Sequence, residues 1–118
     1  MQSGPAGRAV SRESRLAQEV AYVLAHAEQP PDSAVTAQWL AYLTDGGSLA
    51  AHGVRCFHFQ AEGRRTMEAA AALAAWHIAT RLPPGWPKAV ALAEAIRDLL
   101  AEEDRHQARR RARREQAR

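Results

Sequence analysis

Thr66 to Leu82, TMEAAAALAAWHIATRL, is the stretch whose reading decides the fold. Between Glu68 and Arg81 it carries no formal charge. Alanine, the strongest helix former, fills most of it, so the segment is predicted to be helical. A helix that is apolar on every side belongs in an interior, with other helices packed around it. Its alanines admit close neighbours, while Leu73, Trp76 and Ile78 supply bulk. The expected fold is therefore all-α: an irregular four- to five-helix bundle around a central Ala-rich helix, with a charged C-terminal helical extension.

On the N-terminal side, Val54 to Gln60 (VRCFHFQ) leads into this helix. Val54, Cys56 and His58 alternate with Arg55, Phe57 and Phe59, which suits a short strand. No second strand is evident to pair with it, so a loop or a helical lead fits equally well. Before it, Asp32 or Ser33 is expected to cap a helix carrying Val35, Trp39, Tyr42 and Leu43 on one face. Asp45-Gly46-Gly47 ends that helix, with one further turn possible from Ser48 to His52. A first helix is expected from Arg12 to Glu28, with Leu16, Val20, Val23 and Leu24 at helical spacing, stopped before Pro30-Pro31. Met1 to Val10 is rich in Gly, Pro and Ser and reads as a flexible arm.

On the C-terminal side, Pro83-Pro84-Gly85-Trp86-Pro87 forms a stiff corner, and Pro87 suits the first turn of a last helix. Trp86 is expected to fold back over the start of that helix near Val90, as a hydrophobic staple does. Ala89, Leu92, Ala93, Ile96, Leu99 and Leu100 form its apolar stripe. From Glu102 the chain reads EEDRHQARRRARREQAR, with no apolar face. Like-charged arginines four apart weaken an isolated helix, so a frayed or partner-ordered end is expected. The organisation expected is an arm over residues 1–10, a helical domain over 11–101 and an Arg-rich extension over 102–118.

The net charge of +3 on 118 residues hides an asymmetry. Residues 1–62 hold four Arg and six acids, residues 63–104 five bases and six acids, and residues 105–118 seven Arg and one Glu. The parts carry −2, −1 and +6, so the basic character resides wholly in the tail. Such an arm points to an anionic partner. Fifteen of the sixteen bases are Arg and the chain has no Asn, the pattern of a GC-rich genome. The position of the arginines is thus more informative than their type.

Arg105, Arg109, Arg110, Arg111, Arg113 and Arg114 are accordingly expected to bind nucleic acid, DNA or RNA, by neutralising phosphates and releasing counterions. An acidic protein surface is the other partner for the same tail, and a second copy could supply it through Glu102, Glu103 and Asp104. Aromatic residues are absent from the tail, so base stacking there is not indicated. A second class of function is a helical adaptor or self-assembling protein, with Trp86, Leu99 and Leu100 on the partner surface and a homodimer as one outcome.

Other sites are weaker. Thr36 to Phe59 has the outline of a helix-turn-helix, yet its second segment is short, broken by Gly53, and offers only Arg55 as a strong contact. His52, Cys56 and His58 form an H-x3-C-x-H cluster that falls short of four zinc ligands, so no metal or other cofactor is expected. His77 reads as a hydrogen-bonded core or interface group. No phosphate-cradling loop, nucleophile elbow or zinc-protease motif occurs, and a non-enzymatic protein is expected. One cysteine permits no internal disulfide, there is no secretory h-region, and the longest charge-free run, the twelve residues Ala69 to Thr80, falls short of the about 20 needed to span a bilayer. A cytoplasmic protein without membrane contact is the expectation.

Overall fold

The computed structural model describes residues 12–45 and 67–117, with Arg12, Glu13 and Ser14 as backbone alone. Four helices make up its regular structure: α1 (Arg12–Ala25), α2 (Ser33–Thr44), α3 (Met67–Thr80) and α4 (Trp86–Gln116). Among the described residues there is no strand. The ambiguous Val54–Gln60 segment, the turn expected from Ser48 to His52 and the N-terminal arm lie outside them.

In α1, Leu16, Val20 and Val23 recur at i, i+4 and i+7 and are all buried. The helix stops at Ala25, three residues before the expected Glu28. The backbone tightens there, with the His26 and Ala27 amides donating to the Val23 and Leu24 carbonyls. α2 starts where a cap was expected. The Asp32 side chain accepts from the Val35 amide at 2.9 Å, satisfying one of the free donors of the first turn. Asp32→Ala is expected to cost about 1 kcal/mol, read from the urea midpoint at constant m-value. Leu43 and Thr36 are buried, Trp39 and Tyr42 are half-buried, and Val35 lies at the exposed edge. An aromatic bridge ties α2 to α1. Tyr22 stacks on Trp39 at 5.9 Å between centroids, and the Tyr42 hydroxyl donates to Glu19 at 3.0 Å.

The Ala-rich helix forms over Met67–Thr80, yet it is not the hub. Ala69, Ala72, Leu73, Trp76 and Ala79 turn inward. The opposite side is open: Met67 is 86% and Ile78 63% exposed. His77 is exposed as well, so it is no core histidine. The hub is α4, which packs against α1, α2 and α3. Side-chain size accounts for the exchange of roles. Exposing an alanine forfeits one methyl group, whereas burying a Leu or Ile is worth about 1.5–3 kcal/mol. Leu92, Ile96 and Leu99 on α4 are at most 1% exposed, and Ala89, Ala93 and Ala95 between them let the neighbouring helices approach.

The corner before α4 fixes its entry. Gly85 has φ 151 and ψ 172, a region open essentially to glycine alone. Pro87 occupies the first turn. Trp86 is buried, and its indole N–H donates to the His26 carbonyl at 2.9 Å. It therefore pins the start of α4 to the end of α1, and Val90 packs against the same core cluster. α1 and α3 both run antiparallel to α4. Ala17, Val20 and Leu24 face Ala101, Leu100 and Arg97, while Glu68 lies beside Asp98, Glu102 and Arg105.

Candidate functional site

The apolar stripe of α4 ends at Leu100, but its packing does not. Glu102 is 2% and Glu103 5% exposed. Three consecutive acids open the expected extension, yet two of them continue the buried face at i+3 and i+4 from Leu99. Both are hydrogen-bonded, as buried carboxylates must be. Arg105 Nε donates to Glu102 Oε2 at 2.8 Å, and the Arg105 Nη2 group donates to the same oxygen. Gln107 Nε2 donates to Glu103 Oε2 at 2.7 Å. The hydrogen bond to Glu102 raises the Arg105 pKa above its ordinary value, partly offset by desolvation, with the Glu102, Glu68 and Asp98 charges adding to the rise. Glu68, Asp98, Glu102 and Arg105 also line a cavity of about 390 Å³ between α3 and α4.

Arg105 is thus set apart from the other tail arginines, since its guanidinium serves a carboxylate of its own chain. From Ala108 to Ala117 every residue is exposed. Arg109, Arg110, Arg111, Arg113 and Arg114 make no ion pair among the described residues. The extension is helical and unbroken to Gln116, where a frayed or partner-ordered end was expected. Arg113 and Arg114 stand in its last turn, where cations are favoured by the helix dipole by about 0.3–1 kcal/mol. That offsets like-charge repulsion of about 0.2–0.5 kcal/mol per pair. At 1.5 Å per residue, Glu103 to Gln116 projects about 20 Å.

The partner surface expected at Trp86, Leu99 and Leu100 is largely taken up by the core. Trp86 is 6% and Leu99 0% exposed, and half-buried Leu100 lines a groove against α1. A different apolar surface is open instead. Met67, Ala71, Ala74 and Ile78, followed by Leu82, recur at i, i+4, i+7, i+11 and i+15 along the outer side of α3, all exposed. The sequence signal for this was the absence of any charge on that side, which was read as burial.

Among the described residues no cluster of His, Cys, Asp or Glu could hold a metal ion. His52, Cys56 and His58 lie outside them, as does the second half of the Thr36–Phe59 helix-turn-helix outline. His26 is engaged locally, its Nδ1–H donating to the Tyr22 carbonyl at 2.8 Å. No described helix is long and apolar enough to cross a membrane. Compared with known protein families, curated proteins and solved structures, the chain matches none.

Proposed function

We propose that the protein is a small non-enzymatic accessory or regulatory protein that binds nucleic acid through the arginines beyond Gln107. The observation that carries the reading is a continuous, exposed helix whose five described arginines have no carboxylate partner among the described residues, while the rest of the chain is acidic. Backbone phosphates are the matching ligand. Contacts to them fix position without reading sequence, so little sequence preference is expected. The test is fluorescence anisotropy with a labelled DNA duplex across a salt series. With about four phosphates neutralised, the log–log slope is about −3.6, and affinity falls roughly 100-fold between about 50 and about 200 mM salt. No binding at the lowest salt, or binding indifferent to salt, overturns the proposal.

A second reading, a helical adaptor or self-assembling protein, is favoured by the open stripe of α3. Patches of this kind mark interaction sites when they are contiguous. Light scattering separates the two readings. A salt-insensitive dimer without nucleic-acid affinity favours the second, and a monomer that shifts on DNA or RNA favours the first.

A further inference from the structure

The arginines of the extension are not spread evenly around it. At about 100° per residue, Arg109, Arg110, Arg113 and Arg114 fall within an arc of about 140°. The opposite side carries Ala108, Ala112, Arg111 and Glu115, and the last two are one turn apart and cancel in charge. One face therefore bears four positive charges and the other none in sum. A helix kept in solution by charge alone needs no such division. The face also has a fixed direction. Stepping by seven residues, Leu92 leads to Leu99, His106 and Arg113, and Ile96 leads to Glu103 and Arg110. The arginine face is thus the continuation of the side of α4 that is buried against the bundle. It looks into the angle between the projecting helix and the end of the bundle, where α1 and α3 begin.

We propose that this single face, Arg109, Arg110, Arg113 and Arg114, is the phosphate-binding surface, and that Arg111 takes no part in it. The inference rests on the nucleic-acid reading and narrows it to four side chains of one orientation. The arginines stand in two rows, Arg109 with Arg113 and Arg110 with Arg114, each row spaced by about 6 Å along the axis. Within each row the like charges repel, and a phosphodiester backbone laid along the face relieves that repulsion. The geometry selects an extended, regularly charged polyanion over a single phosphate.

The test is a set of five single Arg→Ala variants of the full chain, at positions 109, 110, 111, 113 and 114. Each removes one charge, and alanine keeps helix propensity, which circular dichroism checks. Binding is measured with a short DNA duplex and, separately, a short single-stranded RNA. At about 0.1 M salt, losing one released counterion costs about eightfold in affinity and lowers the duplex salt slope by about 0.9. That loss is expected at positions 109, 110, 113 and 114, while Arg111→Ala stays within about twofold. A comparison of the two probes identifies which polymer the face suits. If Arg111→Ala costs as much as the others, the tail is an undirected cloud of charge, and the face assignment fails while the binding reading stands. If the unaltered protein binds neither polymer, both fail.

Discussion

A chain ended after Ala108 is expected to lose nucleic-acid binding by about 1,000-fold or more at about 0.1 M salt while unfolding at nearly the same temperature. The cut removes residues 109–118, which hold six Arg and one Glu, and takes the net charge from +3 to −2. Four fewer released counterions at about eightfold each give the magnitude. The position of the cut matters. Ending the chain after Asp104 would also take away Arg105 and Gln107, which donate to Glu102 and Glu103. Stripping donors from buried carboxylates costs about 1–3 kcal/mol each, so lost binding in that variant would be confounded with lost stability. Ending after Ala108 leaves both hydrogen bonds in place. Thermal denaturation should then differ from the full chain by no more than about 2–4 °C. Undiminished affinity in the shorter chain would move the contact to another part of the protein.

The helices were legible in the sequence because they depend on local rules. Asp32 capped its helix, Pro87 fell in a first turn, and Leu16, Val20 and Val23 shared a face, each through spacing or backbone chemistry that acts over a few residues. The arrangement of the helices was not legible in the same way. The lack of charge in Met67–Thr80 was read as burial all round, but the pattern measures polarity and not area, and alanine gives up little when exposed. The deciding quantity was bulk, and the bulk sits on α4 in Leu92, Ile96 and Leu99. Glu102 and Glu103 were misread for a related reason. Their charges hid their position on the buried face, and their partners Arg105 and Gln107, three and four residues on, were counted as tail. For the candidate site, the excess of arginine was plain from the sequence. Its one-sidedness shows only on a continuous helix, and like-charge repulsion left the end of the expected helical extension frayed or dependent on a partner.

Leu99→Ala should lower stability by about 3–4 kcal/mol, the cost of a buried leucine replaced by a cavity. Leu99 is 0% exposed on the helix that touches all three others, so the surrounding side chains belong to several elements and cannot all close on the gap. A protein of this size has about 6–15 kcal/mol in total, so the variant should remain folded at low temperature with a much lower urea midpoint. Ile78→Ala is the informative contrast. Ile78 is a bulky side chain of the Ala-rich helix that stays largely in solvent, at the rim of a groove against α4, and at 63% exposure its truncation should change stability by no more than about 0.5 kcal/mol. Were the Ala-rich helix the centre of the bundle, the two substitutions would cost alike. A large loss at Ile78 that is independent of protein concentration would therefore overturn the assignment of α4 as the hub. A loss that is large in concentrated protein and shrinks on dilution would have another meaning, because only an interface between copies contributes less as the protein is diluted. The pair of variants thus separates three arrangements: α4 at the centre, α3 at the centre, and α3 covered by a second copy.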